Sequence, residues 1–135
     1  CDEVRWRQHA LRANSRVRVV ESSVRALLGG RHTDLGPFDL VYSAGLYDYL
    51  ELVVAQKLTA RLGALCSPQG RLLIANYAPE GYSRAYMELF MDWHLIVRDD
   101  AAMLDLARHA GPGSVRVFRD PHDNVVYAQW RRGQA

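Results

Sequence analysis

Residues able to hold and orient a small molecule gather where two apolar runs end. The first run, Phe38-Asp39-Leu40-Val41-Tyr42, breaks into Ser43, Ala44 and Gly45, small residues that let a ligand come close to the backbone. Tyr47, Asp48 and Tyr49 follow with hydrogen-bonding side chains, just before a helical pattern opens at Glu51. The second run, Leu72 to Ala75, ends at Asn76 and Tyr77. Beyond it, Tyr82, Arg84, Tyr86, Trp93 and His94 fall in and just after a stretch crowded with large apolar side chains. An arginine there can pair bidentately with a carboxylate, and a histidine can act as a general base. Plainer readings stand beside these: tyrosines that only pack, Asp48 as a helix cap, and a packed histidine next to Trp93. His9, His32, His109 and His122 have no partners at metal-ligand spacing, so no metal site is expected.

The elements that must position these residues follow from periodicity. Gly36-Pro37 precedes Phe38–Tyr42, whose continuous apolar character is that of a buried strand in a parallel sheet. From Glu51 to Cys66, Leu52, Val53, Ala55, Leu58, Leu62 and Leu65 recur at spacings of three and four, the clearest amphipathic helix in the chain. Ser67-Pro68-Gln69-Gly70 should end it, and Leu72–Ala75 should be the next strand, completing a right-handed βαβ unit with parallel strands. Upstream, the sequence predicts a helix from about Asp2 to Ala13. A strand through Val17, Val19 and Val20 to Glu21 should come next, followed by a short helix capped by Ser22 or Ser23 and stopped at Gly29-Gly30. Downstream, it predicts a helical stretch within Glu80–Asp92, a helix capped by Asp99 or Asp100, and a hairpin of Val115–Phe118 and Val125–Trp130.

The 135 residues amount to one domain or less, and 49% hydrophobic with 24% charged residues is an ordinary globular composition. A net charge of +2 with scattered arginines excludes a basic stripe of the kind nucleic acids need. No apolar run is long enough for a membrane span, and no signal peptide opens the chain. Two cysteines are too few for a disulfide framework, which fits a cytoplasmic protein, and Cys66 falls on an apolar helix face as a packed thiol. The chain opens on Cys1 instead of methionine and runs straight into a helical pattern, so an excerpt of a longer protein is expected.

A parallel α/β sheet finishing in an antiparallel hairpin resembles the latter part of a class I S-adenosylmethionine-dependent methyltransferase. The Phe38–Leu50 run looks like that family's fourth strand and following loop, and Pro68-Gln69-Gly70-Arg71-Leu72-Leu73-Ile74 looks like its turn into the fifth. Two runs, Tyr42-Ser43-Ala44-Gly45-Leu46-Tyr47-Asp48-Tyr49-Leu50 and Tyr86-Met87-Glu88-Leu89-Phe90-Met91-Asp92-Trp93-His94-Leu95, are similar to a bacterial subgroup that makes the methyl ester of a 3-hydroxy fatty acid. The resemblance implies a Rossmann-like, doubly wound, mostly parallel sheet lacking its first two strands here, the C-terminal part of one domain spanning residues 1–135. The family's glycine-rich loop and the acidic residue ending its second strand have no counterpart in this chain, although Asp2 lies close to the latter position. The strand through Val17–Val20 should therefore make no ladder with Phe38–Tyr42, while the other four strands form one sheet.

The resemblance also assigns roles. S-adenosylmethionine is the implied cofactor, with Glu21, Ser22, Ser23 and Val24 along the adenine and Ser43, Ala44, Gly45 and Leu46 on the sugar and methionine side. Tyr49, Tyr77, Tyr82, Arg84, Tyr86, Trp93 and His94 would face the substrate, a small molecule or fatty-acid carboxylate, with the aromatic stretch as a lid. Two other classes compete: a binding or regulatory module that keeps the fold without turnover, and a nucleotide-dependent oxidoreductase on a similar sheet. The antiparallel hairpin argues against the oxidoreductase.

Overall fold

The computed structural model describes residues 18–32, 34–81 and 83–133. The expected helix over Asp2–Ala13, Val17 and Tyr82 lie outside them. The chain divides into two compact units, Cys1–Arg31 and His32–Ala135.

In the first unit, α1 (Val24–Leu28) is capped by Ser23, whose Oγ accepts from the Ala26 N–H at 3.1 Å, and it closes at Gly29. Arg18 to Ser23 belong to no regular element. The strand expected through Val19 and Val20 is therefore not formed: extended backbone becomes a strand only when a neighbour takes its N–H and C=O groups, and no described ladder includes these residues.

The second unit is built on the two apolar runs. β1 (Phe38–Ser43) leads through α2 (Leu52–Ala64) to β2 (Cys66–Tyr77), and the two strands are parallel, as a βαβ unit requires. α3 (Ser83–Phe90) and α4 (Asp100–Arg108) follow, then the hairpin of β3 (Gly113–Arg119) and β4 (Val125–Arg132). β4 pairs antiparallel with β2, giving one mixed sheet of order β1-β2-β4-β3. Within the described residues, β1 has β2 as its one partner.

Residues 67–70 do not lie outside the sheet as expected. β2 starts at Cys66, level with Phe38, and the ladder resumes at Leu40 opposite Arg71 after an irregularity. Gly70 sits where a Cβ would stand 2.6 Å from the Phe38 carbonyl oxygen, so no larger residue fits the kink.

Alternation decides which face is core. Leu72, Ile74 and Asn76 of β2 lie opposite Trp130, Ala128 and Val126 of β4, and all six are buried. α2 and α4 pack against this side, the first on β2 and the second on β3 and β4. Gly63 of α2 meets the turn just after α4, where a Cβ would fall 2.5 Å from the Ala110 carbonyl oxygen. On the side carrying Leu40 and Tyr42, the described residues leave β1 uncovered. β1 was expected to be buried, yet Phe38 and Leu40 are exposed and Tyr42 is 70% exposed. An apolar strand with one free edge and one open face has not found its cover among the described residues.

Candidate functional site

The carboxyl ends of β1 and β2 lie side by side, since the strands are parallel neighbours with Ser43 opposite Ile74. In open α/β sheets, ligands bind at this end. Beyond Ser43 the chain passes through Ala44 to Gly45, which adopts φ +75° with no atom within 4 Å of where a Cβ would stand. Glycine meets both demands of that position, a left-handed backbone and clear space beside it.

One turn later the chain folds inward. Tyr47–Tyr49 form a single 3-10 turn in which Tyr47 and Asp48 are buried. The Tyr47 hydroxyl lies 2.9 Å from Thr59 Oγ1, and Thr59 in turn donates to the Ala55 carbonyl at 2.8 Å. Tyr47 therefore ties the loop to α2 as a core residue, and burial pushes its phenol up from 10.0 to about 12. Asp48 does not cap α2. Its Oδ1 accepts from the Tyr77 N–H at 2.7 Å, joining the loop after β1 to the end of β2. Burial raises the Asp48 carboxyl above its usual range, against the pull of that hydrogen bond and of the Arg98 charge.

Arg98 is the centre of the arrangement, and it is 6% exposed. Its Nη1 donates to the Tyr47 carbonyl at 2.8 Å and to Asn76 Oδ1 at 2.6 Å, while Nη2 donates to the Leu50 carbonyl at 2.6 Å. Asn76 Nδ2 donates to the Ile96 carbonyl at 2.8 Å, and the Ile96 N–H donates to the Asp48 carbonyl at 2.8 Å. The Arg98 N–H completes the set on the Tyr77 carbonyl at 3.0 Å. The segment from Trp93 to Arg98 thus straps across both strand ends. Desolvation lowers the Arg98 pKa from its ordinary value, and neighbouring Asp48 opposes the shift.

The expected substrate-side residues fall into two groups. Trp93 and Tyr49 are brought together, the indole Nε1 donating to the tyrosine hydroxyl at 2.8 Å, and half-buried Tyr77 lies in the same strand-end cluster. Arg84, Tyr86 and His94 stand apart. Arg84 Nε is paired with Glu88 at 2.8 Å along α3, and Tyr86 stacks on Phe90 with ring centres 5.3 Å apart, both exposed. His94 is exposed and pairs with exposed Asp92 at 3.1 Å, so it is not the packed histidine of the plainer reading. Ser22 to Val24 and Glu21 belong to the first unit, where Ser23 acts as the α1 cap. Sequence reasoning missed Arg98, whose acceptors are mostly backbone carbonyls that leave no residue pattern. The available signal was a pair of polar residues, Asp48 and Asn76, set at the ends of apolar runs.

No family profile matches this chain, and no curated protein does. Solved structures do match. SibL, an S-adenosylmethionine-dependent methyltransferase in its apo form, aligns with 97% of this chain and 40% of its own length, with a TM-score of 0.77 and 16% identity. An O-methyltransferase family protein from Burkholderia thailandensis aligns with 99% of this chain and 41% of its own, with a TM-score of 0.73 and 19% identity. OxaC, in complex with SAH and oxaline, aligns with 96% of this chain and 33% of its own, with a TM-score of 0.66 and 22% identity. The chain therefore spans well under half of each of these three proteins. At such identities the likeness shows the fold: a Rossmann-like α/β sheet of the kind these methyltransferases have.

Proposed function

We propose that residues 1–135 are the C-terminal part of a cytoplasmic methyltransferase domain that moves the methyl group of S-adenosylmethionine to a carboxylate oxygen. An acyl carboxylate of the 3-hydroxy fatty acid type is the acceptor we favour. The observation that carries this reading is the end of β1, where three small residues finish in a left-handed Gly45 with clear space beside it. The fold shared with solved methyltransferases supports the same donor. Among the described residues β1 has one unpaired edge and an open apolar side, which supports the partial-domain reading, because further strands of the same domain would pair with that edge.

S-adenosylmethionine, when bound, would supply a methyl group activated by its positively charged sulfur, with S-adenosylhomocysteine as the leaving group, and a carboxylate acceptor would need no proton removed. The chain's own work is placement and exclusion of water. Within the second unit, Ser43, Ala44, Gly45 and Leu46 would flank the sugar and methionine side. Tyr49, Tyr77 and Trp93 would wall the acceptor side, with Tyr82 and Tyr86 against the acyl chain. Arg84 would have to exchange Glu88 for the acceptor carboxylate, and His94 would serve at the rim. No general base is needed, so the exposure of His94 does not count against this chemistry.

The test is methyl-ester formation by the full-length protein from labelled S-adenosylmethionine and a series of 3-hydroxy acids of increasing length. Affinity should rise with each buried methylene by about 0.8 kcal/mol, roughly fourfold. A flat series removes the acyl acceptor, and no ester from any carboxylate removes the reaction.

A further inference from the structure

We infer that Arg98 is a positioning residue that makes the donor-side loop and the acceptor-side strap respond to ligand as one body. The inference rests on the reading above, in which the loop after β1 meets the methyl donor and the end of β2 faces the acceptor.

A buried guanidinium is a costly way to fill space. Its desolvation is offset only by good geometry and by hydrogen bonds that satisfy its N–H groups. What the fork offers is fixed directions. Nη1 holds a carbonyl of the donor-side loop, Tyr47, and the side chain of Asn76 at the end of β2, while Nη2 holds a second loop carbonyl, Leu50. The same residue's own N–H is bonded to Tyr77. Two amides of the strap, those of Ile96 and Arg98, are therefore bonded to the loop after β1, at Asp48, and to the end of β2, at Tyr77. Displacing the loop after Gly45 must move Tyr47 and Leu50, hence Arg98, hence the strap that carries Trp93 onto Tyr49. Such a chain of short bonds through one rigid group is a physical route for coupling two binding sites.

The experiment uses the full-length protein and S-adenosylhomocysteine as the probe. Calorimetry gives its affinity, and amide exchange with and without it gives the response of Ile96 and Arg98. The wild type should bind the probe, and exchange at both amides should slow at least tenfold although neither belongs to the donor-side loop. Arg98→Lys keeps the charge but loses the fork; once shown to be folded, it should bind at least tenfold more weakly and lose the protection at Ile96. Wild-type binding with unchanged exchange at Ile96 and Arg98 overturns the coupling without any variant. A folded Arg98→Lys protein with lower thermal stability but unchanged probe affinity and strap protection makes Arg98 a purely structural residue. Absence of probe binding in the wild type overturns the methyl-donor reading itself, and this inference with it.

Discussion

The strand-end cluster and helix α3 stand in contrast although Trp93 joins the strap to the loop. Around Arg98, which is 6% exposed, polar atoms are held by side-chain bonds of 2.6–2.8 Å. On α3, the large side chains Tyr86, Leu89 and Phe90 are exposed, Leu89 at 79%, and the Arg84–Glu88 ion pair joins residues of the same helix. The first region is held by bonds in several directions, while the second keeps an exposed apolar surface on which Tyr86 and Phe90 stack on each other. The difference fits a division of labour, in which fixed geometry places a donor of constant shape and an adaptable apolar helix meets a flexible acceptor.

The sharpest way to break this contrast is to remove the centre of the cluster. Arg98→Met in the full-length protein should cost about 3 kcal/mol or more, since it leaves three buried or part-buried neutral acceptors without their donor, at about 1 kcal/mol or more each. A loss under about 1 kcal/mol in denaturant titration would make the cluster no more rigid than α3.

Alkaline pH probes the same region through Tyr47. Its phenol is pushed from 10.0 to about 12, so the folded chain holds the proton longer than the unfolded one. Stability should therefore fall as pH rises past 10 and go on falling to about 12, by on the order of 2–3 kcal/mol in total. Tyr47→Phe should flatten that alkaline limb while costing about 1 kcal/mol at neutral pH for the lost bond to Thr59. An alkaline limb of wild-type steepness in the variant would assign the loss to other groups.

On α3, Leu89→Ser should change stability by less than about 0.5 kcal/mol and raise KM for long acyl acceptors more than for short ones. Equal effects on both would detach α3 from the acceptor. The smallest effect is expected at Cys66, where burial raises the thiol pKa and Sγ lies 3.6 Å from the Leu62 carbonyl. Alkylation at neutral pH should be slow until the protein unfolds.

Apolar spacing made α2, the core of β2 and the terminal hairpin legible before any coordinates. Each buries a periodic face, and the period survives in the residues themselves. The start of β2 was not legible, because Ser67-Pro68-Gln69-Gly70 reads as a helix stop. It enters the ladder through a kink that depends on Gly70 and the Phe38 carbonyl, not on side-chain pattern. Val19 and Val20 show the converse, a strand-like pattern that forms no described ladder. The left-handed Gly45 at the end of β1 was foreshadowed by the small residues after the first run, and the Trp93–Tyr49 bond was not legible, although both residues had been singled out. Arg98 was invisible for a physical reason. Two of its side-chain acceptors are backbone carbonyls, and its partners lie 22 to 51 residues away.

The central claim is that the end of β1 is where the methyl donor binds. Calorimetric titration of the full-length protein with S-adenosylmethionine, wild type beside Gly45→Val, tests it most directly. The valine places a branched side chain in the open space at φ +75°, a strained position whose retained fold is checked by circular dichroism. The account predicts saturable one-to-one binding by the wild type and none by the folded variant. Equal affinity in both would contradict it.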